Sequence, residues 1–91
     1  MIEIADAVME IEFPSGTSEF AVIEHLKSCY GFSEEEYRNV LRIKKENVVY
    51  HAGFSRNNVL RLSASTEDFK FLEEIKTEIL KKFGERVLRG G

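Results

Sequence analysis

The chain has one cysteine, one proline and no tryptophan among its 91 residues. A single thiol, Cys29, excludes an internal disulfide and suits a reducing compartment. No apolar run approaches the roughly 20 residues of a membrane span, and the N-terminus lacks the basic, apolar and small-residue regions of a secretory signal. The chain therefore reads as cytoplasmic, with no membrane partner. No phosphate-binding glycine loop, clustered carboxylate motif, internal repeat or low-complexity tract appears, and no cofactor or metal site is expected. Basic residues are also scarce at one end. Residues 1–36 carry nine acidic side chains against the single base Lys27, a balance of −8, whereas residues 37–91 carry twelve bases and seven acids, a balance of +5. Either opposite faces meet different partners, or the two halves neutralise each other across the fold.

What is present is patterned. A chain that is 43% hydrophobic and 32% charged makes one small α+β domain over residues 1–84, with residues 85–91 as a flexible tail. A core of this size is marginal alone, so a partner is expected. The organising stretch runs from Val59 to Gly84. Leu60, Leu62 and Ala64 alternate with Val59, Arg61, Ser63 and Ser65, the period of a half-buried strand. From Phe69 through Leu72, Ile75, Ile79, Leu80 and Phe83 the apolar residues recur at helical spacing. Ser65 with Asp68 marks the start of a helix at Thr66, and Gly84 marks its stop. Glu67 and Asp68 near one end and Lys81 and Lys82 near the other complement the helix dipole.

Ile2 to Phe13 alternates as a strand with Ala5, Ala7, Met9, Ile11 and Phe13 inward and Glu10 and Glu12 outward. Pro14-Ser15-Gly16 ends it, and Thr17 or Ser18 caps a helix to about Tyr30 that buries Phe20, Ile23, Leu26 and Tyr30 and stops at Gly31. Val22 and Cys29 widen that stripe toward a second surface. Over Phe32 to Lys45 the capping box of Ser33 and Glu36 favours a short helix, with Leu41 to Lys44 as an alternative strand. Asn47 to Phe54 reads as a strand with Val48, Tyr50, Ala52 and Phe54 inward, followed by a polar loop from Ser55 to Asn58. These elements predict a two-layer sandwich, a three-stranded antiparallel-type sheet with two long helices on one face, in the order β-α-(short element)-β-β-α. A right-handed first crossover places the third strand between the first and second. Glu10 and Glu12 then lie near Arg61 on the open face as a cross-strand ion pair, and the first strand keeps an unpaired edge that invites another chain.

Candidate chemistry is sparse. His25 and Cys29 stand four apart on a helix, the spacing of a thiolate pair or half a metal site. The alternative is a partly buried cysteine acting as a small apolar residue beside a solvated histidine. His51 falls on the open face with no nucleophile or orienting acid nearby in sequence. No catalytic residue is assigned, and an enzyme is not expected. Partner binding is assigned to Val22, Cys29 and Phe71 on the outer sides of the helices and to Glu10, Glu12 and Arg61 on the sheet. Arg38, Arg42, Lys44 and Lys45, together with Arg86 and Arg89, are the candidates for RNA phosphates, with a solvated surface as the alternative.

Met9-Glu10-Ile11-Glu12-Phe13-Pro14-Ser15 before a helix, then Val48 to Phe54, then Val59-Leu60-Arg61-Leu62-Ser63-Ala64-Ser65-Thr66-Glu67-Asp68 running into a helix, together resemble the archaeal Pcc-type small subunits of the KEOPS complex. The resemblance covers most of the chain apart from Ser33 to Lys45, which looks like an insertion, and the tail. In the family's principal member the last helix carries an arginine and an asparagine-serine pair soon after the acidic turn. Here that stretch reads Phe69-Lys70-Phe71-Leu72-Glu73-Glu74-Ile75-Lys76-Thr77-Glu78, more like a divergent paralogue. The resemblance implies a non-catalytic subunit that heterodimerises with the principal Pcc subunit and supports threonylcarbamoyl-adenosine modification of tRNA. The ATP-dependent catalytic subunit and the kinase subunit would be indirect partners, and tRNA a possible one. A rival lies in Arg86-Val87-Leu88-Arg89-Gly90-Gly91, which looks like the end of a ubiquitin-like modifier or sulfur carrier, although a long helix, rather than a final strand, precedes that tail.

Overall fold

The structure, a computed structural model, describes residues 7–34 and 40–84. Its elements in chain order are β1 (Ala7–Glu12), α1 (Glu19–Tyr30), β2 (Ser33–Glu34), β3 (Leu41–Lys45), β4 (Val48–Arg56), β5 (Val59–Ala64) and α2 (Lys70–Phe83). The fold is α+β. Its sheet has five strands in the order β1-β5-β4-β3-β2, all neighbours antiparallel, which corrects the expected three-stranded sheet. Within that larger sheet β5 does sit between β1 and β4, the order expected for the three strands read from sequence.

The two additional strands come from the stretch that offers both a short helix and a strand over Leu41 to Lys44, and the strand is the one that forms, as β3. Ser33, read as a cap, lies in β2 opposite Arg42, and Glu36 and Tyr37 fall outside the described residues. A cap contributes only about 1 kcal/mol. The competing hairpin pairs Leu41 through Lys45 with Ala52 through Val48 and buries Leu41 against the core. The turn that closes it is Glu46-Asn47, with φ of 48° and 70°. Positive φ at both central residues is the signature of a two-residue turn whose twist matches paired strands. The next hairpin turns at Asn57-Asn58 after β4 has run two residues past Phe54, with an irregularity between Phe54 and Arg56 and φ of 62° at Asn58.

Register builds the core directly. Ala7, Met9 and Ile11 face Ala64, Leu62 and Leu60, which in turn face Tyr50, Ala52 and Phe54, and beyond these lie Ile43 and Leu41. Directly opposed residues share a face, so one side of the sheet is apolar across four strands. Phe13 continues it, its N–H donating to the Asn58 carbonyl at 2.7 Å. Val59 is also buried, although it has the opposite parity to Leu60; its register neighbours are the long side chains of Glu12 and Arg56.

Both helices cover that apolar side. Ser18 caps α1, its Oγ accepting from the Ala21 N–H at 3.1 Å, and Gly31 ends it in the left-handed conformation at φ 83°. The buried stripe of α1 is Val22 and Leu26, with Ile23 and Tyr30 partly buried. Phe20, expected inside, is 73% exposed, and Val22, expected on the outer side, is wholly buried. The helix is thus rotated from the expected phase, because Val22 and Leu26 form the pair one turn apart that meets Leu72, Ile75 and Ile79 in one core cluster. In α2 those three are the buried residues, as expected, while Phe69 is exposed.

The start of α2 also differs. Ser65 donates its N–H to the Val49 carbonyl at 3.0 Å and accepts from the Val49 N–H at 2.9 Å, so it lengthens the β4–β5 ladder instead of capping a helix. Thr66 Oγ1 accepts from Asp68 N–H, and Asp68 Oδ1 from Lys70 N–H at 3.1 Å, a pair of turns that delays the helix to Lys70. Gly84 ends it without a left-handed residue, at φ −97°.

Candidate functional site

Two surfaces gather the residues singled out above. The first is the uncovered side of the sheet. One row crosses all five strands through Val8, Ser63, His51, Arg42 and Ser33, and the next holds Glu10, Arg61 and Gly53. Glu10 is the direct register partner of Arg61, and both are exposed, so the expected neighbours do meet on one face. Glu12, also exposed, lies opposite Val59. Val8 brings an apolar side chain, 48% exposed, to the same face. Glycine at position 53 contributes no side chain beside Arg61, which keeps the centre of the face low. No described element packs over it.

The basic cluster is divided by the sheet. Arg42 and Lys44 have the parity of this open face, but Lys45 has the opposite parity, and its Nζ sits 4.1 Å from the centre of the Phe71 ring. Lys44 and Lys45 are consecutive in a strand and so cannot share one face. Arg38, Arg86 and Arg89, and the terminal Gly90 and Gly91, lie outside the described residues.

The helix residues assigned to partner binding are redistributed by the fold. Val22 is in the core and presents nothing outward. The Phe71 ring is engaged within the chain, edge-to-face on Tyr50 at 4.7 Å between centroids and on Tyr30 at 6.1 Å. Of the three, Cys29 alone is exposed. Among the described residues the exposed large apolar side chains are Phe20, Phe69 and Val8. Phe20 lies in the first turn of α1 and Phe69 is the N-cap of α2; because Tyr30 at the end of α1 packs on Phe71 at the start of α2, the two rings lie at opposite ends of the layer. Phe20 was legible only through the phase of Val22 and Leu26, which requires knowing which stripe faces the sheet.

The second surface is the seam between the helices. His25 Nε2 lies 2.8 Å from Glu78 Oε1, and Tyr30 donates its hydroxyl to the same oxygen at 2.6 Å. The other imidazole nitrogen, Nδ1, is 3.5 Å from Cys29 Sγ. The His25 ring is held edge-on by Phe83 at 5.7 Å and Tyr30 at 6.0 Å, leaving its side chain 10% exposed. The alternative of a partly buried cysteine beside a solvated histidine is therefore reversed: the histidine side chain is nearly enclosed and the cysteine is at the surface. Burial pushes the Tyr30 phenol well above its ordinary range, and its hydrogen bond to Glu78 pushes it further. Burial works against the Glu78 carboxylate, but the hydrogen bonds from Tyr30 and His25 outweigh it and hold the group below its ordinary range. Among the described residues no cluster of three or more His, Cys, Asp and Glu side chains is arranged to hold a metal ion. No helix among the described residues is long and apolar enough to cross a membrane.

No family model matches the chain, nor does any curated protein or solved structure.

Proposed function

We propose that the chain is a non-catalytic scaffold subunit that heterodimerises, through the open face of its sheet, with a related Pcc-type subunit in the KEOPS assembly. In that role it supports threonylcarbamoyl-adenosine modification of tRNA while a separate ATP-dependent subunit performs the chemistry. The observation that carries the reading is the imbalance of the two layers: a five-stranded sheet has both helices on one side and none of the described elements on the other. A second sheet is the natural cover for such a face, stacking at roughly 10 Å. Register opposition of Glu10 and Arg61 offers that cover charges of both signs beside the apolar Val8. The strands β2 and β3 are built from the stretch that departs from the resemblance, so they would be this chain's own extension of the paired surface.

The experiment is co-expression of the full chain with a Pcc-type subunit, followed by size-exclusion chromatography with light scattering. A one-to-one complex is expected, and Arg61→Glu should dissociate it while leaving the melting temperature within a few degrees. Two separate monomer peaks, or a complex indifferent to substitutions on this face, would overturn the reading. Deleting Gly90 and Gly91 should leave the complex intact; loss of function on that deletion alone would point to the modifier instead. Direct contact with tRNA through Arg42 and Lys44 would weaken steeply with added salt, and a flat response would remove RNA from the list of partners.

A further inference from the structure

The seam between α1 and α2 places three side chains in an order that neither helix contains alone. We propose that Cys29 is a nucleophilic thiol, with His25 as its base and Glu78 as the positioning residue for that base, and that it exchanges with low-molecular-weight disulfides. The signature of an activated nucleophile is a base within hydrogen-bond reach, itself oriented by a third group. His25 Nδ1 is 3.5 Å from Sγ, and Nε2 is 2.8 Å from Glu78 Oε1. A carboxylate at Nε2 favours the tautomer whose proton sits there, which leaves the Nδ1 lone pair facing the thiol. Glu78 is tied in turn by the Tyr30 hydroxyl, and the imidazole is clamped between the Phe83 and Tyr30 rings. This base is already aimed before any reagent arrives.

Access and burial divide as the chemistry requires. The thiol is exposed and the base beneath it is nearly enclosed. The Ser28 hydroxyl, 3.9 Å from Sγ, is the other polar group at the sulfur. Cys29 lies in the last turn of α1, where the partial negative charge of the helix end disfavours a thiolate. What offsets it is position: His25 Nδ1, 3.5 Å from Sγ, can take the thiol proton directly. In the exchange the thiol proton moves to Nδ1 and the thiolate attacks one sulfur of the disulfide R–S–S–R. The S–S bond breaks as the Cys29–S–S–R bond forms, and the departing RS⁻ takes the proton from the imidazolium and leaves as RSH. Sulfur oxidised on Cys29 is balanced by sulfur reduced on the leaving thiol, with no further reagent.

The test uses the full chain and oxidised glutathione, with the mixed disulfide followed by intact mass and Cys29→Ser as the blank. At pH 7 the folded chain should react about tenfold faster than the same chain unfolded in urea, because only a few per cent of a free thiol is then ionised. His25→Gln should reduce the rate to that of the unfolded chain. Since the imidazole is packed into the seam, the half-exposed Glu78→Gln provides the second arm. A folded Glu78→Gln chain should react severalfold more slowly at pH 7 and converge on the unaltered chain at high pH, where any thiol ionises. A folded chain that reacts no faster than the unfolded one, or a folded Glu78→Gln chain with an unchanged pH profile, would overturn the assignment. Neither result bears on the open face of the sheet, so the two proposals stand or fall separately.

Discussion

Nε2 of His25 lies 2.8 Å from Oε1 of Glu78, joining α1 to α2 across 53 residues of sequence. With the Tyr30 hydroxyl on the same oxygen, the contact ties the two helices through groups that titrate, so the stability of that layer depends on protonation.

Glu78 is held below its ordinary value of 4.5 once the hydrogen bonds from Tyr30 and His25 overcome burial. A carboxylate with a lowered folded pKa adds stability above its unfolded pKa and loses it as pH falls through the folded one. Urea midpoints measured from pH 7 down to pH 3 should therefore show the unaltered chain above Glu78→Gln at neutral pH, with the gap closing below about pH 4.5. A gap that is constant with pH would mean that the carboxylate contributes packing and not charge.

The rotated phase of α1 separates two apolar residues only two positions apart. Val22→Asp would bury an unpaired charge and should cost about 4 kcal/mol or more, a large part of the total stability of a small domain. Phe20→Asp, on the exposed side, should stay within about 0.5 kcal/mol of the unaltered chain. Thermal melts of the two variants decide the phase, and equal destabilisation would contradict it.

The β3–β4 hairpin depends on a residue with φ of 70°, Asn47. Asn47→Val should destabilise the domain by roughly 1–2 kcal/mol, because a β-branched side chain resists the left-handed region, whereas Asn47→Gly should be tolerated. The denaturation midpoint of each variant is the measurement, and a neutral Asn47→Val would argue for a different turn.

Lys45 lies over the Phe71 ring, on the opposite side of the sheet from Arg42 and Lys44. Removing its ammonium from the Phe71 ring with Lys45→Ala should cost about 0.5–1 kcal/mol. Its effect on any tRNA affinity should be smaller than that of Lys44→Ala on the other face, compared by salt titration.

Much of this was legible along the chain. Alternation in β1 and β5 gave their inward residues because every second side chain in a strand must share a face, whatever lies beyond it. A cap at Thr17 or Ser18 and the stop at Gly31 are backbone chemistry of single residues and needed no tertiary context; the structure selects Ser18, while Thr17 donates its hydroxyl to the Pro14 carbonyl. Between Ser33 and Lys45 a capping box and a strand alternation coexist; the strand alternative over Leu41 to Lys44 is the one that forms, as β3, because a local signal of about 1 kcal/mol cannot outrank pairing with β4. Ser65 failed as a cap for the same reason: its hydroxyl had a better use on Val49, a partner 16 residues away.

The sequence by itself determined the α+β class, the inward faces of β1, β4 and β5 and the buried stripe of α2, because these follow from the period of the side chains along each element. Tertiary structure decided the number of strands, the rotation of α1, the parting of Lys45 from Arg42 and Lys44, and the meeting of Cys29, His25 and Glu78. Those depend on which distant backbone or helix a residue finds opposite it, and pairing of that kind is set by the packing of the whole chain and not by any local repeat.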